Sequence, residues 1–170
     1  MPVMVLRLGH RMRRDKRIST HCSLVARALG ASGMIYTGEK DEVMEESVRK
    51  VAKNWGGRFS IRHERKWEPI LKKWKGKSCH LTVYGMPFQK AMPEVRKRKD
   101  ILVIIGGEKV PIEVYKRANW NLSVTGQPHS EVAGLALFLD RYFQGKELDL
   151  KFRGKIKVVP QERGKKVIRS

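Results

Sequence analysis

The sequence predicts an α/β fold, a mostly parallel sheet flanked by helices, on three observations. Short apolar runs rich in branched residues alternate with segments of helical period, the pattern of strands joined through covering helices. A length of 170 residues with 41% hydrophobic content suits one domain with a sizeable core better than two small ones. Glycine-rich turns stand where three of the strands should end, and open α/β sheets bind ligands beyond the carboxyl ends of their strands.

The elements follow in order. Strands are expected at Val3–Leu8, Met34–Thr37, Phe59–Arg62, Cys79–Tyr84, Ile101–Ile105 and Leu122–Val124, six strands of one sheet. A helix from about Ser19 to Leu29 carries Cys22, Val25, Ala26 and Leu29 and ends at Gly30. Asp41 to Trp55 gathers Val43, Met44, Val48, Val51, Ala52 and Trp55 near one face, with acidic residues at its start and Gly56 and Gly57 as its stop. Shorter helical pieces fit Glu68–Trp74 and Pro111–Ala118. The helix from about Ser130 to Phe143 is apolar over much of its circumference, which predicts deep burial. After Gly145 basic and apolar residues alternate over Lys151–Pro160 and Lys165–Ile168 around a Glu162-Arg163-Gly164 turn, a hairpin pattern. The organisation is therefore a domain over residues 1–145 and a basic tail over 146–170.

Charge narrows the function. There are 37 Lys and Arg against 17 Asp and Glu, a formal charge of +20. Such a field concentrates phosphates and releases their counterions, so the expected partner is a polyanion. Residues 1–17 carry a net +5 and residues 146–170 a net +6, more than half of the excess at the two ends. No basic amphipathic helix supports a membrane surface, and no stretch approaches the roughly 20 apolar residues of a span. RNA is the favoured partner, and the tail hairpin either lies along it or is an edge strand guarded by lysines. Arg7 ends the first apolar run too early for a signal peptide, so a cytoplasmic protein is expected. Cys22 and Cys79 lie far apart in apolar surroundings, with no ligand at metal spacing; buried reduced thiols and no metal are expected.

The glycine turns are Tyr84-Gly85-Met86-Pro87, Gly106-Gly107-Glu108-Lys109-Val110-Pro111 and Thr125-Gly126-Gln127-Pro128-His129. Glycine lets backbone groups approach a ligand with no Cβ in the way, and three such turns can line one pocket. None matches GxGxxG with a distal acid, and no GxxxxGK[ST] is present, so dinucleotide and P-loop sites lack their signatures.

Three blocks carry a resemblance. Arg7-Leu8-Gly9-His10-Arg11 with Arg14-Asp15-Lys16-Arg17, then Gly106 to Pro111, then Gly126-Gln127-Pro128-His129-Ser130-Glu131-Val132-Ala133 resemble, in order, the archaeal tRNA cytidine-56 2′-O-methyltransferases of the SPOUT superfamily. The resemblance implies a deep C-terminal trefoil knot, with the knot and the S-adenosylmethionine site over about residues 79–143. It also implies a homodimer and the outer corner of tRNA as substrate. By the same resemblance Leu81, Gly85, Gly106, Gly107, Glu108, Lys109 and Val110, with Val124, Thr125, Gly126, Gln127, Pro128, His129, Ser130 and Glu131, hold the cofactor.

Chemistry gives these positions roles of their own. Leu81 and Val110 can grip adenine while glycine-turn backbone groups read its edge. Glu108 can offset the sulfonium charge or orient the ribose, and its local alternative is a favourable place near a helix start. The stretch His21 to Ala31 is similar to the Asn-x5-Arg helix of related SPOUT ribose methyltransferases, with Arg27 at the arginine and His21 at the asparagine position. Arg27 is expected to grip phosphate and stabilise the developing alkoxide, or else to snorkel over the core. His10, His21 and His129 titrate in the useful range for a proton acceptor. Arg7, Arg11, Arg13, Arg14, Lys16 and Arg17 are expected to contact RNA, and Ser130 also suits a helix N-cap.

Overall fold

The computed structural model describes residues 3–107 and 109–169. Six strands, β1 (Val3–His10), β2 (Gly33–Gly38), β3 (Ser60–His63), β4 (Lys77–Pro87), β5 (Ile101–Gly106) and β6 (Trp120–Ser123), form one sheet in the order β3-β2-β1-β5-β4-β6. Every pairing within it is parallel. Helices α1 (Met12–Ala28), α2 (Glu42–Trp55), α3 (Glu68–Lys73), α4 (Phe88–Arg96), α5 (Ile112–Arg117) and α6 (Glu131–Phe143) cover both faces.

The central strand β5 reads as an uninterrupted apolar run because both its faces are covered. Ile101 to Ile105 are all buried, with Ile101, Val103 and Ile105 packing toward α1, α2, α4 and α6. Leu102 and Ile104 join Leu6, Leu8 and Ile35 under α3 and α5. Asp41 caps α2 by accepting from the Met44 amide at 2.9 Å, and Ser130 caps α6 through the Ala133 amide at 3.1 Å.

Two elements depart from the sequence expectation. Helix α1 begins at Met12 rather than about Ser19, so the basic run 12–17 is helical. Apart from the exposed Met12, its apolar positions begin only at Ile18, and the Arg11–Asp15 pair at 2.9 Å stabilises a first turn that apolar periodicity does not mark. Helix α4 was not anticipated, since Pro93 lies inside it. Phe88, Met92 and Val95 nevertheless keep one buried face, and in nine residues a proline removes just one interior bond.

The tail begins with a 3₁₀ turn at Lys146–Asp149 and ends in an antiparallel hairpin of β7 (Ile156–Val159) and β8 (Lys166–Arg169). Between them Phe152 and Leu150 close the amino-terminal edge of the sheet. Gly56 has φ +82°, and a Cβ there would lie 2.5 Å from the Arg153 backbone, so the tail crosses α2 where only glycine fits. No helix among the described residues is long and apolar enough to cross a membrane.

Candidate active site

At the carboxyl edge of the sheet β4 does something irregular. Leu81 pairs with Leu122, and so does Met86, so residues 82–85 bulge out of the ladder. A Cβ on Gly85 would lie 2.5 Å from the Leu122 amide nitrogen, which explains glycine where the bulge closes against β6. Gly85 therefore shapes the loop and does not line the cavity beneath it.

That cavity, of about 250 Å³, lies between the β4 bulge, the end of β5 and the start of α6. Leu81, Gly106, Gly107, Val110, His129 and Glu131, all singled out in the sequence, line it. His80, Thr82, Val83, Tyr84, Ile105, Tyr115 and Gly134 complete the lining without having been singled out. Gly134 carried a signal, a glycine inside a helix: a Cβ there would meet the His129 ring at 2.9 Å. Tyr115 sits on α5, and only the fold brings its hydroxyl 3.2 Å from Thr82 Oγ1. Lys109 faces away, into a groove of about 310 Å³ with Leu8, Gly9, Arg11 and Gly107. Val124 packs on the core, and Thr125, Gly126, Gln127, Pro128 and Ser130 form the exposed turn leading into α6. Glu108 lies outside the described residues.

Arg7 corrects the expectation of an RNA contact. It points from β1 under α6 at 1% exposure, its Nε 3.2 Å from Glu131 Oε2, while its Nη1 has no hydrogen-bond partner among the described residues. Burial raises the Glu131 carboxyl above its ordinary range and Arg7 pulls it back. This pair fixes the first turn of α6, and with it His129, against β1. Arg11 reaches Asp15 through Nε at 2.9 Å and Nη2 at 3.2 Å, and these bonds are the first cause of the lowered Asp15 carboxyl pKa. Arg13, Arg14, Lys16 and Arg17 stand exposed along α1.

The remaining histidines separate. His10 is buried, with Nδ1 2.7 Å from Ser19 Oγ and Nε2 3.4 Å from Asp41 Oδ2. Burial first, then Arg7, lowers its pKa. The order resembles a hydrolytic triad, but Ser19 is itself fully buried and reaches no substrate, so the cluster ties β1 to α1 and α2. His21 stands exposed on α1, away from the cavity lining.

Arg27 is the larger correction. It lies in the last turn of α1, at the amino-terminal edge of the sheet, where its Nε donates to Gly56 O at 3.1 Å and its guanidinium stacks 4.8 Å over Phe152. A helix of 17 residues spans about 25 Å, and the glycine turns are at the other edge. Within this chain Arg27 anchors the tail.

Among the described residues no group of three or more His, Cys, Asp or Glu is placed to hold a metal ion. A family model described as tRNA ribose 2′-O-methyltransferase, aTrm56, matches residues 55–168. A tRNA (cytidine(56)-2′-O)-methyltransferase of Methanocaldococcus jannaschii is 55% identical over 175 residues, covering 99% of this chain and 97% of that protein. Its counterpart from Picrophilus torridus is 53% identical over 165 residues, and this chain spans 48% of its length. The SpoU methyltransferase AviRb from Streptomyces viridochromogenes, solved with AdoMet, shares the fold with TM-score 0.63 at 13% identity, over 85% of this chain and 58% of that one. With one family model spanning more than half of the chain and a relative of matching length at 55% identity, the chain belongs to the tRNA ribose 2′-O-methyltransferase family.

Proposed function

We propose that the carboxyl-edge cavity receives S-adenosylmethionine and that the neighbouring basic groove receives the target nucleotide, so that the two meet at Gly107. The chain methylates the ribose 2′-oxygen of cytidine 56 in tRNA. The observation that carries this reading is that Gly107 lines both the cavity and the groove. The residues fit the cofactor: a Cβ on Gly107 would point into open space, with nothing nearer than Glu131 Oε1 at 4.0 Å. Leu81, Ile105 and Val110 offer apolar walls for a nucleobase. When bound, the cofactor supplies an electrophilic methyl group on a sulfonium.

The chain's own residues then do the positioning, which can supply much of the acceleration in a transfer that needs in-line geometry. Arg11 and Lys109 flank the groove and hold a phosphate beside the target ribose. His129 lines the cavity with Nδ1 2.9 Å from Ser130 O, so Nδ1 carries the hydrogen and Nε2 keeps the lone pair that accepts the 2′-hydroxyl proton. The exposed stripe of Arg13, Lys16 and Arg17 carries the RNA backbone across α1. A trefoil knot in the segment from β4 to α6 and a homodimer accompany this reading. Tyr84 at 84% and Met86 at 64% exposure leave an apolar rim beside the cavity for a second copy. The working place is the cytoplasm, with tRNA as partner and no metal.

The test is transfer of a labelled methyl group from S-adenosylmethionine to unmodified tRNA, with nucleotide mapping and sedimentation of the active species. Label on the 2′-oxygen of cytidine 56, lost with Gly107→Trp while the fold persists, is expected. Label at another nucleotide overturns the substrate, and an active monomer overturns the dimer.

A further inference from the structure

Besides His129, the cavity has a buried polar group whose tautomer is fixed by its surroundings. His80, on β4, is 1% exposed and lines the cavity, with its ring edge-on to Tyr115 at 4.6 Å between centroids. Its Nδ1 is 2.9 Å from Asn121 Oδ1. The Asn121 amide is oriented by its other end, where Nδ2 donates to Tyr115 O at 2.8 Å, so Oδ1 faces the histidine and must accept. The hydrogen is therefore on Nδ1, and Nε2 presents a bare lone pair. That Nε2 is buried and has no hydrogen-bond partner among the described residues. Burial lowers the imidazole pKa, opposed by the Asn121 contact, which keeps the ring neutral and Nε2 an acceptor at neutral pH.

Leaving a buried acceptor unpaired is costly, and a fixed second partner makes rotation of the ring to relieve it equally costly. We propose that His80 is a positioning residue for the cofactor, its Nε2 accepting a hydrogen bond from an N–H or O–H donor of the bound ligand. The inference rests on the cavity being the S-adenosylmethionine site. It assigns to a strand residue, rather than to the glycine turns, the polar contact that fixes how deeply the ligand sits. Leucine or phenylalanine at this position would fill the same space and leave the ligand's donor unmatched, so the site would still bind but lose orientation.

The experiment is calorimetric binding of S-adenosylhomocysteine to the native protein and to His80→Phe, repeated with four analogues that each lack one donor: the 6-amino group, the 2′-hydroxyl, the 3′-hydroxyl or the α-amino group. His80→Phe is expected to weaken S-adenosylhomocysteine about tenfold. One analogue should bind the native protein about tenfold more weakly yet bind the variant no worse than the parent compound does, a coupling that a merely structural histidine does not produce. Equal affinity of native and variant for S-adenosylhomocysteine overturns the proposal, as does additivity for all four analogues. Should His80→Phe fail to fold by circular dichroism, His80→Asn gives the same comparison. A native protein that binds no S-adenosylhomocysteine overturns the cofactor reading itself, and the two failures are told apart by that first titration.

Discussion

A guanidinium at 1% exposure and one on an exposed helix face have the same formula and opposite uses, and the six basic residues near the amino terminus divide along that line. Arg7 gives up its hydration for one partly buried carboxylate, Glu131, so removing it leaves a buried charge without a partner. Arg7→Met is expected to cost about 3 kcal/mol of unfolding free energy, read by denaturant titration, with the salt dependence of tRNA binding unchanged. Arg13, Lys16 and Arg17 keep their hydration and can exchange counterions for phosphates. Replacing any one with Gln should leave stability within about 0.5 kcal/mol and flatten the plot of log affinity against log salt by about 0.8. An Arg7 variant that changes that slope, or surface variants that do not, would reverse the assignment.

At the scale of elements, α1 links the two ends of the sheet, and its last turn belongs to the tail. Arg27 gives a charged hydrogen bond to Gly56 O and packs on Phe152. Arg27→Met is expected to cost about 2 kcal/mol in stability while leaving the affinity for S-adenosylhomocysteine unchanged, measured side by side on one preparation. Gly56→Ala should be harsher, because its φ of +82° and the Arg153 backbone in its path act together. A thermal melt that moves less for Gly56→Ala than for Arg27→Met would mean the tail does not cross α2 as described. A two-stranded hairpin is marginal alone, and this crossing is what ties β7 and β8 to the domain.

For the whole molecule, the reduced core sets an alkaline limit. Cys22 on α1 and Cys79 on β4 are far apart in sequence, yet share one apolar cluster, and burial pushes both thiols up to about 12 from an ordinary 9.0. A folded-state pKa above the unfolded one means stability fully present below pH 9 and lost as pH climbs toward 12. Urea midpoints should therefore fall through that window, and fall less in a Cys22→Ala, Cys79→Ala protein measured against its own neutral-pH value. Equal slopes would show that other groups, not the thiols, set the limit.

What the sequence determined by itself was periodic or compositional. Six apolar runs became six strands, helices began at Asp41 and Ser130 where their spacing placed them, and the glycines at 106 and 107 opened a cavity because a missing Cβ is a property of the residue. A basic surface was equally legible, since +20 must go somewhere solvated. Tertiary structure decided which side chains meet. Arg7 and Arg11 are four residues apart on one chain, but the sheet buries the first under α6 and leaves the second at a groove. Arg27 sits in a motif that resembles a catalytic helix, but the length of α1 carries it to the opposite edge. His80 reads as one more residue of a buried strand until Asn121, 41 residues later, fixes its tautomer. Long-range packing sets the partner, the dielectric and the direction of each of these groups, and none of the three is a property of local sequence.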